Sequence, residues 1–436
     1  MKREPLALLG GAPVIDKPFP SYNTIGVEEK RAVMDVLDGG ELSGFIGAEG
    51  KQFWGGQRVR ALEAAFCDHF KVKHAVAVNS ATSGLHASLM AMDIGPGDEV
   101  LVSPYTMSAS ATTILLCGAV PVFVDIEPDT FCIDPDAAAA AITPYTRAIV
   151  AVNIFGHPAR LDPLRALCEK HGLFLLEDNA QAPDAIYRGR KAGTVGHAGV
   201  FSFNRHKTMQ CGEGGIIVTN DDKIALKAAL FRNHGENLVE PMGLTDIVNT
   251  LGVNYRMGEM EAAVAIEQFR KLPELNRARI ALCERLTRGL RELPGITPPR
   301  VFEDCSHVYY FYVMKYDERI TGIPRDLFAA AVKAEGFPVR AGYLKPLYLQ
   351  PLYQHKIAIG RDGFPFSENL RNANLSYAPG ICPMVERLES HEILLTSLIY
   401  PPLEEADMDR FVEVFVKVLN NRDALSSAGR SAAAAD

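Results

Sequence analysis

Between residues 75 and 220, short apolar runs alternate with longer amphipathic stretches. The runs fall at 75–78, 99–103, 120–126, 148–154, 173–177, 198–203 and 215–219. Several are separated by helix-length segments such as 83–92 and 163–171, and Gly95-Pro96-Gly97-Asp98 marks a turn between one such helix and the next run. This alternation predicts an α/β layer with a seven-stranded, mostly parallel sheet. Ahead of it, residues 1–25 are rich in Gly and Pro and read as an extended arm, with 27–37 the first convincing helical pattern. Beyond it, helical patterns at 260–271 and 274–293 are parted by Pro273, which is expected to end the first of them. A strand at 309–315, a helix at 325–335 and an amphipathic helix at 407–420 then predict a second, smaller α+β domain. The expected organisation is an arm at 1–25, a large domain at 26–274, a small domain at 275–420, and an Ala/Ser-rich tail at 421–436 that frays.

Composition narrows the class. Of 436 residues, 47% are hydrophobic and 22% charged, which excludes wholesale disorder. Forty-five Lys and Arg against 53 Asp and Glu leave a net charge of −8, so no electrostatic footprint for nucleic acid is expected. The eight Cys contain no C-x-x-C pair, which argues against a zinc site or disulfide framework and fits a reducing cytoplasm. After Met1-Lys2-Arg3, the residues Glu4, Pro5, Gly10, Gly11 and Pro13 break any signal-peptide core. The longest apolar run, 114–124, is interrupted by Gly118 and Pro121 and falls short of the ~20 residues a membrane helix needs. A cytoplasmic protein without a metal site is the expectation.

Familiar motifs are missing. There is no G-x-x-x-x-G-K-[ST], G-x-S-x-G or H-E-x-x-H, and the first strand–helix junction lacks G-x-G-x-x-G. His234-Gly235-Glu236 fits H-x-E, but no P-C-x-x-C follows to complete a zinc deaminase.

Four segments are predicted to meet where the strands end, the edge at which open α/β sheets bind ligands. Asn79-Ser80-Ala81-Thr82-Ser83 opens a helix, whose free N–H groups and dipole suit an anion; read alone it is an ordinary Ser/Thr cap. Leu173 to Gln181 is an apolar strand running into Glu177, Asp178 and Asn179, where a carboxylate would favour a protonated ring nitrogen or simply cap the next element. In Phe201-Ser202-Phe203-Asn204-Arg205-His206-Lys207, the cations beside Lys207 are expected to lower its pKa, as an imine-forming lysine needs; the plain alternative is a solvated loop lysine. Cys211-Gly212-Glu213-Gly214-Gly215 follows, then Asn254-Tyr255-Arg256-Met257 just ahead of a helix. A phosphate cradle, a ring-nitrogen acid and an imine-forming Lys together match what pyridoxal 5′-phosphate (PLP) asks of a protein.

In this order, these segments resemble the DegT/StrS sugar aminotransferases, fold-type I enzymes dependent on PLP. The likeness covers about residues 5–420. Further markers are Gly97-Asp98-Glu99-Val100, Pro104-Tyr105-Thr106, Gly118-Ala119-Val120-Pro121 and Arg232-Asn233-His234-Gly235. The resemblance implies a fold-type I architecture and a role for each matching residue. Lys207 would form a Schiff base with the cofactor and then shuttle the proton between substrate carbon and cofactor. Asp178 would hold the pyridine nitrogen, and Gln181 would contact the ring hydroxyl. Ser80, Ala81 and Thr82 at the helix N-terminus, with Ser202, would hold the phosphate. Asn254 would reach the cofactor of a neighbouring subunit, making the working unit a homodimer with shared sites. Two residues depart from the family pattern: Ala81 replaces a Gly, and Met107 stands where an aromatic ring stacks on the cofactor.

The implied reaction moves an amino group from glutamate or glutamine to a keto-sugar, keto-cyclitol or related cyclic ketone, in amino-sugar or secondary-metabolite biosynthesis. The alternative on the same cofactor is a dehydratase or lyase, a branch that carries His where this chain has Lys207, one position from His206. Gly342-Tyr343-Leu344-Lys345-Pro346 and Cys382-Pro383-x-x-Glu386-Arg387 look most like a subgroup acting on free cyclitols. Tyr343 and Lys345, with His307, are the candidate substrate residues. A non-catalytic regulator would need a DNA-binding module that 25 residues cannot supply. An amino-acid aminotransferase would need one of Arg319, Arg325, Arg340 or Arg387 to grip a carboxylate.

Overall fold

The computed structural model describes residues 4–247, 250–367 and 375–433. Seven strands form one sheet: β1 (His74–Val78), β2 (Glu99–Val102), β3 (Val120–Phe123), β4 (Thr146–Val152), β5 (Phe174–Asp178), β6 (Ala198–Ser202) and β7 (Gly215–Thr219). Their order is β1-β7-β6-β5-β4-β2-β3. Only β7 runs against its neighbours β1 and β6, and the other six strands are parallel. The central strands are buried on both faces, with Leu101, Ile149, Val150, Leu175 and Leu176 fully enclosed, which is why they appear in the sequence as continuous apolar runs. Register brings Val152, Asp178 and Val200 side by side, so Asp178 ends β5 at the carboxyl edge. Ser202 ends β6 at the same edge, and β1 runs through Asn79 and Ser80 into helix α1 (Ala81–Ala91).

A second sheet, β8 (Ile296–Thr297), β9 (Tyr312–Tyr316), β10 (Arg340–Ala341) and β11 (Ile393–Thr396), is antiparallel in the order β8-β9-β11-β10. Helices Arg325–Ala334 and Glu405–Asn420 cover it through Phe328, Phe411, Phe415 and Val418, all fully buried. This architecture, a large parallel sheet with a smaller antiparallel one, is the fold-type I arrangement expected from the chain.

Four local expectations need correction. The helix expected to stop at Pro273 continues: α2 spans Glu259–Leu290, 32 residues and about 48 Å long. Packing overrides the local preference, because its first half buries Ala262, Ala265, Phe269 and Leu272 against Phe66, Phe201 and Phe203, while Leu282, Leu286 and Leu290 join the core of the second sheet. The strand expected from 309 starts at Tyr312, since Tyr309 is left-handed (φ 50°) and gives its N–H to His307 Nδ1. The arm is anchored rather than merely extended: Leu6 and Ile15 are buried in the second core, and Glu335 accepts from the N–H groups of Ala7 (2.7 Å) and Val14 (3.1 Å). The stretch expected to fray is helical over Arg422–Ala433, with Leu425 fully buried, and 434–436 lie outside the described residues. No helix among the described residues is long and apolar enough to cross a membrane.

Candidate active site

The carboxyl edge of the large sheet opens into a cavity of about 360 Å³. Ser80, Ala81, Thr82, Met107, Asp178, Gln181, Ser202, Lys207 and Tyr343 all line it. Ser80 caps α1 by accepting the Ser83 N–H at 3.0 Å, so the plain cap reading holds, and the first-turn N–H groups of Ala81 and Thr82 are left without intrahelical acceptors. Gly215 lets β7 press against this turn, because a Cβ there would lie 2.6 Å from Ala81 N.

The acids that end β5 diverge, as alternation along a strand requires. Glu177 is fully buried and accepts from the N–H groups of Gly193 (2.6 Å), Val195 (2.7 Å) and Gly196 (2.7 Å), so it shapes the following loop. Asp178 faces the cavity. Its Oδ2 accepts from Ser110 Oγ at 2.7 Å and its Oδ1 from Ala180 N at 3.2 Å. Burial pushes its pKa up, opposed by those hydrogen bonds and by the charge of Lys207. Gln181 accepts from Phe155 N at 2.7 Å through Oε1 and donates to the Tyr343 hydroxyl at 3.2 Å through Nε2.

Lys207 follows β6 in a turn closed by its N–H to Asn204 O at 2.8 Å, and its Nζ sits 4.4 Å from the centre of the Tyr310 ring. Its pKa is lowered to about 8, but not by the cations that the sequence suggested. Arg205 and His206 are exposed and bonded to each other at 3.2 Å; burial depresses the lysine, and Asp178 works against the depression.

Three expected site residues do not line the cavity. His307 is buried elsewhere, stacked on Tyr309 with ring centres 4.0 Å apart, and burial holds its pKa well below the usual histidine value. It is a packing residue. Lys345 is exposed, and the turn carrying it presents Tyr343 inward instead. Asn254 is exposed, with Oδ1 accepting the Arg256 N–H at 3.4 Å. The sequence reading missed Ser110 and Tyr310, and the partners they meet, Asp178 and Lys207, lie far along the chain. No group of three or more His, Cys, Asp or Glu among the described residues is arranged to hold a metal ion.

A helix N-terminus, a buried carboxylate and a lysine of lowered pKa meet on one cavity, in a fold shared with the fold-type I aminotransferases. Residues 46–393 match the model of the DegT/DnrJ/EryC1/StrS aminotransferase family, and the chain belongs to that family. It is 35% identical over 430 residues to a Streptoalloteichus tenebrarius protein named as a candidate L-glutamine:3-amino-2,3-dideoxy-scyllo-inosose aminotransferase, covering 96% of this chain and 99% of that one. Among solved structures, DesI with its TDP-sugar product superposes with a TM-score of 0.79 at 30% identity, over 98% of this chain and 99% of the other. DesV from S. venezuelae, in complex with a ketimine intermediate, gives 0.75 at 31% identity, over 90% and 94%.

Proposed function

We propose that this aminotransferase binds PLP and carries an amino group from L-glutamine or L-glutamate to a ketone on a sugar or cyclitol ring. The observation that carries the reading is the meeting of Lys207 and Asp178 on one cavity at the N-terminus of α1. That set fits the cofactor: first-turn N–H groups with Thr82 and Ser202 for its phosphate, Asp178 for its ring nitrogen, Gln181 for its ring hydroxyl, and Met107 against its face. A thioether packs on a ring with about 0.3–1.5 kcal/mol, so Met107 can serve where the family has an aromatic residue. When bound, PLP supplies an electron sink conjugated to an amine-accepting carbonyl.

The protein's own contribution is proton handling and placement. Burial lowers the Lys207 pKa to about 8, which favours the neutral amine that a group taking a proton from a substrate carbon and returning it must offer. Ser110 and the Ala180 N–H fix the Asp178 carboxylate so that its charge is aimed before any ligand arrives. Tyr310 and Tyr343 wall the cavity beside Lys207 and Gln181 and so limit how a substrate can approach them. Asn254 is exposed and does not line its own cavity, and the proposed working unit is a homodimer in which it serves the cofactor of the second copy. The Streptoalloteichus relative's name favours glutamine as donor and a free cyclitol ketone as acceptor; the DesI complex keeps a nucleotide-linked sugar as the competing acceptor class.

The test is the visible spectrum of the purified protein with PLP, before and after L-glutamine or L-glutamate. A yellow band that bleaches with either donor is expected, followed by turnover on cyclic ketones. A band that ignores both donors would overturn the transamination reading, and no band would overturn the cofactor assignment.

A further inference from the structure

After helix Pro383–Arg387 the chain makes one π-helical turn, Leu388–Glu392, before β11. Such turns are rare and give up regular hydrogen-bond geometry, and they recur at functional sites. Here the turn aims Glu389 at the back of the cavity. Glu389 Oε2 accepts from the Tyr105 hydroxyl at 2.7 Å and from the Tyr343 backbone N–H at 2.6 Å. Tyr105 is fully buried just beyond β2, whereas Tyr343 lines the cavity and its hydroxyl takes the Gln181 amide. The carboxylate comes in close: a Cβ on Gly342 would lie 2.4 Å from Glu389 Oε1 and push it away, and Gly342 is itself left-handed at φ +71°. The other side of Tyr343 is held too, by Arg340 Nη2 on its carbonyl at 3.2 Å. Arg325, buried on the small-domain helix, donates to the Glu389 carbonyl and fixes the turn.

We propose that Glu389 is a positioning residue, which holds Tyr343 against Gln181 and so ties the small antiparallel sheet to the cavity. The inference rests on the reading of that cavity as an aminotransferase site. Its logic is geometric. One oxygen ties a strand-end tyrosine of the large sheet to the backbone of the cavity tyrosine, and Tyr343 then takes the amide that faces the expected cofactor ring. Losing the carboxylate leaves the Tyr343 N–H and Tyr105 hydroxyl without their acceptor, and the cavity wall loses its register.

The experiment uses the PLP-loaded enzyme and three readouts: the Kd for PLP from the visible band, the L-glutamine or L-glutamate concentration giving half-bleaching, and the melting temperature of the cofactor-free protein. Glu389→Ala is expected to weaken both binding constants about fivefold to tenfold, the size of one lost hydrogen bond, with a smaller change in the maximal bleaching rate. Glu389→Gln keeps one oxygen, able to accept from both donors as Oε2 does, and is expected to recover most of the loss. Placing Glu389→Ala in a Tyr343→Phe background is expected to add little, because both changes cut the same link. If Glu389→Ala does not fold, a shift of about 1.5-fold to twofold in Glu389→Gln that vanishes beside Tyr343→Phe carries the same test. A fall in melting temperature with both binding constants unmoved would reduce Glu389 to a structural role and overturn the proposal. Loss of the band in the unaltered protein would instead overturn the functional reading on which it rests.

Discussion

Lys207 is where burial and charge compete most directly. The unfolded chain holds its proton up to a pKa of 10.5, whereas the folded protein releases it at about 8. Between those values the unfolded state binds more protons, so this residue's contribution to stability rises with pH across the window and is least favourable below pH 8. Lys207→Met removes the buried ammonium and keeps the bulk. The cofactor-free variant is therefore expected to melt above the unaltered protein at pH 7, with the difference shrinking as pH climbs towards 10.5. Melting temperatures over pH 7–10.5 measure it, and a gap independent of pH would show that the ammonium is not what the fold strains to bury. The same variant loses the yellow band with PLP. Stability surrendered for a reactive amine is the expected trade at such a position.

At the scale of elements, α2 carries the largest conflict between local preference and tertiary packing. Proline inside a helix removes one N–H, here the partner of the Phe269 carbonyl, and costs up to ~3 kcal/mol. The helix nonetheless continues, because one end packs with Phe66 and Phe203 and the other with the core of the small sheet. Pro273→Ala restores the donor, and part of that gain is offset by a freer unfolded chain. A net rise in melting temperature of about 2–4 °C is expected. A fall would mean that the interruption itself lets one helix reach both cores. The same conflict explains what could be read in advance. The seven strands were legible because burial on both faces writes itself as apolar runs such as 148–152 and 174–176. Three of the four segments meet at the cavity and were legible because each follows or joins a strand of the large sheet, where local chemistry is conspicuous; the fourth, at Asn254, lies outside that cavity. Ser110 on Asp178, Tyr310 over Lys207 and Glu389 beneath Tyr343 were not, since each pairing closes a long loop and leaves no local pattern. His307 was misread for the converse reason: an isolated histidine looks like chemistry until its stacking on Tyr309 is visible.

At the scale of the whole molecule, the arm connects what the two sheets keep apart. Its first part is fixed to the small domain through Glu335, which also accepts from Lys417 Nζ at 2.8 Å. Its second part reaches the large domain, where the Tyr22 hydroxyl donates to the Thr208 carbonyl at 2.6 Å, one residue beyond Lys207. Arg279 of α2 bonds the Thr208 side chain at 2.8 Å and lies 5.4 Å from the centre of the Tyr22 ring, so the lysine turn is bolted from two directions. Tyr22→Phe removes the donor and leaves a buried carbonyl unpaired, which costs about 1–3 kcal/mol. A looser turn admits water to the Lys207 ammonium, so its pKa is expected to move up from about 8 towards the ordinary lysine value. Glu335→Gln loosens the far end of the same arm and is expected to lower the melting temperature without moving that pKa. The pH dependence of reductive methylation at Lys207, read by mass spectrometry on cofactor-free protein, separates the two variants. If Tyr22→Phe melts early but titrates at the same pH as the unaltered protein, the arm stabilises the fold and does nothing to tune the lysine.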